Sequence, residues 1–172
     1  MSTRLPVTVL AIMVALCAQT AVAAARPKPN DFTVYKHRTS MQMLDASTGT
    51  MTTDVSGATT GDTELIYGTV ARTPGGKVIG HYRGIATMFS QDPQTGQLTR
   101  WFRAKISLPG GAIFIEDAQA NPTVAAAAAG MRWTYAVVGG TGLYDGVTGE
   151  CLSVLIREGV YFKDTFHLYY PR

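Results

Sequence analysis

The clearest signal along the chain is a period-two alternation of apolar and polar positions, interrupted at short intervals by glycine, proline and aspartate. Phe102, Ala104, Ile106 and Leu108 alternate with Trp101, Arg103, Lys105 and Ser107. This predicts a strand with one apolar and one wet face, because successive side chains of a strand point to opposite sides. The preceding run, Lys77–Ser90, puts Ile79, His81, Arg83, Ile85, Thr87 and Phe89 on one face and Val78, Gly80, Tyr82, Gly84, Ala86 and Met88 on the other. Two glycines within one face predict a sharply bent strand. Further strands are expected from Phe32 towards Leu44 and over Glu64–Arg72, Ala112–Ala118, Met131–Val138, Val147–Glu158 and Val160–Tyr170. Pro74-Gly75-Gly76, Asp92 to Gly96 and Pro109-Gly110-Gly111 supply turn chemistry suited to hairpins. About eight strands at this spacing point to an antiparallel sandwich or a closed barrel, and long strands with internal glycines favour the barrel.

Three stretches depart from the alternation. Asp45–Thr63 is polar, with no steady period, and reads as a connector, a lid over a pocket or a further irregular strand. Asn121–Gly130 contains the alanine run Ala125–Ala129, enough for one or two helical turns at most. The third stretch runs from Thr134 to Glu150 through Gly139, Gly140, Gly142 and Gly146. An apolar run into glycines resembles the opening of a dinucleotide-binding unit, which requires a helix next. Leu152, Val154 and Ile156 instead alternate with Cys151, Ser153, Leu155 and Arg157. The glycines are therefore read as a corner between two strands, with Gly140 or Gly142 at positive φ.

The N-terminal region changes the domain count. Arg4, the apolar run Leu5–Ala18 and the small residues Ala21–Ala25 before Arg26-Pro27 describe a secretory signal peptide over residues 1–25. A mobile lead-in over 26–31 and one domain over 32–172 complete the organisation, with export from the cell as the expected localisation. Removing the leader takes Arg4 and no acid, lowering the net charge from +3 to +2. The cations are scattered rather than clustered, so no nucleic-acid surface is expected, nor any membrane association once the leader is cleaved. Cys151 alone remains among the cysteines, which excludes an internal disulfide and leaves stability to the core; it reads as a small buried hydrophobe. His37, His81 and His167 lie on three different strands without ligand spacing, so no metal is expected. No G-x-S-x-G elbow supports hydrolase chemistry.

Four separated blocks then agree with one family. Tyr67-Gly68-Thr69-Val70, Gly80 to Met88, Gly110 to Asp117 and Val137 to Gly146 resemble, in order and spacing, the plant dirigent proteins and the related allene oxide cyclase barrels. The similarity covers Phe32 to Tyr170 and is closer to the dirigent proteins. It implies an all-β domain, a single eight-stranded antiparallel barrel, usually a homodimer or homotrimer, whose lumen takes a small apolar or aromatic ligand without any cofactor. Dirigent proteins orient phenoxy radicals supplied by a separate oxidase, and allene oxide cyclases fold an unstable epoxide for ring closure. Catalysis in both is mainly orientation and exclusion of water. The family's first strand carries an acid directly after a His, whereas here His37 is followed by Arg38.

The resemblance places the family's second acid on or near Asp117 and a family Arg approximately on Arg132. In this reading the two meet across a barrel mouth, where an acid could move a proton on a phenol and the Arg could bind an anion; otherwise they are an exposed ion pair. His81, Tyr82, Arg83, Phe102 and Tyr135 form the expected ligand-binding set, with His81 either a base facing the lumen or a structural imidazole. Trp101, Trp133, Tyr135, Phe162 and Phe166 are core or interface aromatics, or a ligand stack. Three functions remain open: steering a reactive apolar intermediate, binding a ligand without turnover, and acting as a structural or defence-associated surface protein. Charged groups inside the lumen favour the first.

Overall fold

A computed structural model describes residues 30–121, 128–157 and 161–171. The expected leader, the lead-in up to residue 29 and most of the alanine run lie outside the described residues. The described residues form nine strands: β1 (Asn30–Leu44), β2 (Met51–Thr52), β3 (Thr63–Ala71), β4 (Val78–Gln91), β5 (Leu98–Leu108), β6 (Gly111–Ala120), β7 (Arg132–Gly142), β8 (Thr148–Arg157) and β9 (Tyr161–Tyr169). Every neighbouring pair is antiparallel, and β1 also pairs with β9. Eight long strands therefore close into a barrel, which removes most of the free sheet edge. The short β2 adds to the far half of β1, where Met43 pairs with Thr52 and Leu44 with Met51. The irregular-strand option for the polar stretch is thus realised over two residues. Buried Asp62 organises the remainder, accepting hydrogen bonds from the Ala46 and Thr59 amides at 2.8 and 2.7 Å.

The alternation in sequence becomes the inside and outside of the barrel wall. On β5 Phe102, Ala104, Ile106 and Leu108 are buried and Trp101, Arg103 and Lys105 are exposed. On β4 the glycine-bearing face turns inward: Tyr82, Ala86 and Met88 are buried, while His81, Arg83, Ile85 and Phe89 are exposed. Glycine makes room for rings at two points of the wall, since a Cβ on Gly84 of β4 would sit 2.9 Å from the Phe102 ring and one on Gly68 of β3 would collide with the Tyr82 ring. Phe166, Leu168, Ile106, Ile113, Val70 and Val147 are fully buried and belong to one hydrophobic cluster.

The glycine-dense stretch is a strand corner. β7 runs to Gly142 and β8 returns from Thr148 antiparallel to it, so no helix follows, as the strand-corner reading requires. Gly142 takes the left-handed φ of 63°, whereas Gly140 does not. A Cβ on Gly142 would also strike the Gly110 carbonyl, so position 142 needs glycine for both backbone and space.

Candidate functional site

The interior of the barrel is not uniformly apolar. On β1 the inward positions include Val34 and Lys36, and on β9 they include Asp164, Phe166 and Leu168. Cross-strand pairing sets Asp164 opposite Val34 and Lys36 opposite Phe162, so the two charges meet on the diagonal. Lys36 Nζ lies 2.8 Å from Asp164 Oδ2, with the side chains 5% and 0% exposed. Ser153 Oγ on β8 donates to Asp164 Oδ1 at 2.7 Å. Oδ2 has no hydrogen-bond partner among the described residues, so its contact with Lys36 is ionic in alignment. Three rings surround the ammonium: Tyr82 with its centroid at 5.3 Å, Phe162 at 5.4 Å and Tyr135 at 6.0 Å.

Removing two charges from water is costly, and close pairing offsets the cost. Burial, the largest single influence, would push the Lys36 amine down, but the Asp164 carboxylate together with Tyr135, Cys151 and Tyr82 outweighs it and holds the group above its ordinary value, protonated. Burial pushes the Tyr82 phenol up to about 12, against the opposing field of Lys36 and Arg38, and raises Tyr135 in the same way. Both phenols are therefore neutral hydroxyls at physiological pH. Gln119 Nε2 approaches the Tyr135 oxygen at 3.2 Å. Cys151 is buried and its thiol is raised by burial and then by Asp164, which leaves it unreactive.

A second ion pair joins β5 to β3. Arg100 Nη1 lies 3.3 Å from Glu64 Oε2. Burial raises the Glu64 carboxyl, with Arg100 and then Arg38 opposing the shift. Arg100 Nε is buried without a hydrogen-bond partner among the described residues, and the guanidinium lies 5.6 Å from the Phe102 ring centroid. Between the two ion pairs is a cavity of about 50 Å³ lined by Lys36, Arg38, Ile66, Tyr82, Arg100, Phe102, Tyr135, Ser153 and Phe162. Such a site can hold a polar head group against aromatic walls and donate hydrogen bonds or positive charge to an oxygen.

The structure divides the residues singled out by sequence. Tyr82, Phe102 and Tyr135 come together at the lumen, whereas His81 and Arg83 point outward; Arg83 instead lines an outer groove of about 320 Å³ with Ile85, Lys105 and Val138. The expected meeting of Asp117 with Arg132 does not occur. Asp117 pairs with Phe102 and shares the inward parity of Ile113 and Ile115, and its carboxylate accepts from the Ala118 amide. Arg132 has the outward parity of β7 and is exposed. The cause is the pleat: Arg132 is an odd number of positions from inward Tyr135. Phe162 belongs to the cavity and Phe166 to the core, Trp133 packs 6.2 Å from Phe162, and Trp101 is outside. Sequence reasoning missed Lys36, Asp164, Ser153, Glu64 and Arg100 as site residues. A signal was present, because Lys36 follows Phe32 and Val34 at spacing two and Asp164 interrupts Phe162, Phe166 and Leu168.

No curated protein matches the chain by sequence. Solved structures match its fold across most of its length. A pyocyanin demethylase superposes with a TM-score of 0.60 at 19% identity, covering 81% of this chain and 99% of its own. A pterocarpan synthase dirigent protein superposes with a TM-score of 0.60 at 16% identity, covering 86% and 88%. A Diels–Alderase from Streptomyces koyangensis gives 0.61 at 13% identity, covering 83% of this chain and 64% of its own. The family described as the allene oxide cyclase barrel like domain matches residues 13–166. With that match over a closed eight-stranded barrel, the chain belongs to the allene oxide cyclase barrel-like family.

Proposed function

We propose that this chain is an exported barrel that binds a reactive apolar or aromatic intermediate and orients it, so that coupling or cyclisation gives one stereoisomer. Intermediates of the phenylpropanoid or lignan type are the proposed substrates. The observation that carries the reading is a closed barrel whose interior sets ionised Lys36 and Arg100 and the hydroxyls of Tyr82 and Tyr135 among aromatic rings. Holding an apolar molecule requires few such groups. Directing a reaction uses them, because fixed donors stabilise charge developing on an oxygen in a site that excludes water. The rings of Tyr82, Phe102 and Phe162 restrict the intermediate to one conformer, and Asp117, which has inward parity but lies outside the cavity lining, moves a proton on the part of a phenol or quinone methide that extends beyond the cavity. Arg132 lies outside this arrangement. Two structural neighbours named for a dirigent protein and a Diels–Alderase fit steering chemistry of this kind.

The cavity of about 50 Å³ is well below the ~300 Å³ of sites that enclose a drug-sized ligand. It takes a head group as it stands, with half-buried Arg38 and Phe162 in its lining. This small volume is also the specific support for a second reading, ligand binding without turnover. Outside the cell a separate oxidase would supply radicals. Exposed Tyr67, Ile85, Trp101 and Val138 offer an outer surface for assembly into a homodimer or homotrimer.

The test incubates the protein with an oxidase and coniferyl alcohol, and separately with an allene oxide source, followed by chiral chromatography. Enrichment of one enantiomer in the first arm is expected. Enrichment only in the second assigns an allene-oxide-cyclase-like isomerase, and racemic product in both overturns the steering role.

A further inference from the structure

Resting on the reading of the lumen as the ligand site, we infer that the ligand is an anion, with a carboxylate or phenolate oxygen on its aromatic or conjugated body. Three cationic side chains, Lys36, Arg38 and Arg100, line the free space of the lumen, and no carboxylate does. The two buried acids stand behind this lining. Asp164 is engaged by Lys36 and Ser153, and Glu64 by Arg100. Donor capacity towards the cavity is left over on the cationic side. Arg100 Nε is buried with no hydrogen-bond partner among the described residues. Arg38 makes no ion pair among the described residues, and its guanidinium contacts Met41 Sδ at 3.4 Å. A guanidinium beside a cavity with unfilled N–H donors is suited to a planar, delocalised oxyanion, which accepts two parallel hydrogen bonds from the fork.

Position 38 gives the inference its direction. Arg38 has the inward parity of Val34 and Lys36 on β1 and lines the cavity. Lys36 and Arg100 each have a buried acid, whereas half-buried Arg38 makes no ion pair among the described residues, and a charge shielded from water without a counter-ion is unfavourable. An anionic head completes the arrangement, while Tyr82, Phe102 and Phe162 hold the ring attached to it.

Calorimetric titration with two probes that share one aromatic body isolates the effect. Ferulate carries a carboxylate where coniferyl alcohol carries a hydroxymethyl group. Ferulate is expected to bind about tenfold more tightly or better, as one charge-assisted hydrogen bond allows, with the advantage shrinking as salt is raised. Arg38→Gln and Arg100→Gln should each reduce the preference, and Arg38→Glu should favour the alcohol. Thermal melts monitor folding, and Arg38→Gln decides if the Arg100 variant does not fold, because Arg38 has no acid to orphan. A second pair, 4-nitrophenolate and nitrobenzene, distinguishes a phenolate from a carboxylate as the preferred head. Equal or tighter binding of both neutral probes overturns the anion inference and leaves the lumen as a ligand site. Absence of binding by all four probes overturns both.

Discussion

Strands β1 and β9 are joined by two acid–base side-chain contacts, Asp31 with His167 and Asp164 with Lys36, of which the first is an ion pair only when the imidazole is protonated. Asp31 and His167 are direct register partners, with Nδ1 3.0 Å from Oδ1, and their side chains are 54% and 43% exposed. Lys36 and Asp164 are similarly close at 2.8 Å, but 5% and 0% exposed. In water the outer pair gains little, since solvent and salt screen it and ordering two side chains opposes it. Inside the wall each charge depends on the other, because neither can return to water without opening the barrel. Proximity is therefore a poor guide to importance in this molecule, and burial decides. The inner pair can hold a fixed electrostatic field for a ligand, and the outer one cannot.

Breaking the inner pair gives the largest expected effect. Asp164→Leu alone strands a buried ammonium and should cost about 3–5 kcal/mol in urea unfolding. Combining it with Lys36→Met should recover most of that loss, since an apolar pair of similar volume carries no unpaired charge. A double variant no more stable than the single one would show that the pair stabilises through its charges rather than through packing.

An intermediate effect is expected from alkali. Tyr82 and Lys36 both hold protons more firmly than their ordinary values of 10.0 and 10.5. Between those values and the higher folded ones, the folded state binds more protons than the unfolded state. The stability they contribute is complete below about pH 10 and falls as pH rises, by about 1 kcal/mol for Tyr82 by pH 11. Urea midpoints measured from pH 8 to 11 should decline, and less steeply in Tyr82→Phe; a decline as steep in that variant would remove Tyr82 as a cause.

The smallest effect belongs to the outer pair. Asp31→Asn should change stability by less than ~1 kcal/mol, and any change should vanish at high salt. A loss comparable to that of Asp164→Leu would erase the distinction between the two pairs.

Alternation made most of the wall legible before any coordinates. The strands expected over Lys77–Ser90 and Trp101–Leu108 appear as Val78–Gln91 and Leu98–Leu108, because a half-buried strand writes its pleat into the sequence. The corner at Gly142 was legible for a related reason: a left-handed backbone against the Gly110 carbonyl admits little but glycine. The site was harder to see. Tyr82, Phe102 and Tyr135 were reachable because apolar rings announce an inner face, but Lys36 and Asp164 lie over a hundred residues apart, and nothing local says that their exceptions to the pattern coincide.

By itself the sequence determined which residues share a face, where the chain turns and, through four spaced blocks, the family. Tertiary structure alone decided which face is inside. On β4 the two faces were separable by period, yet only closure of β1 against β9 turned Tyr82 inward and His81 and Arg83 outward. It also decided which charges meet, since the diagonal from Lys36 to Asp164 exists only in the register of the closing pair. The physical reason is that a strand's pleat is local information, whereas register and closure are set by the packing of the entire wall.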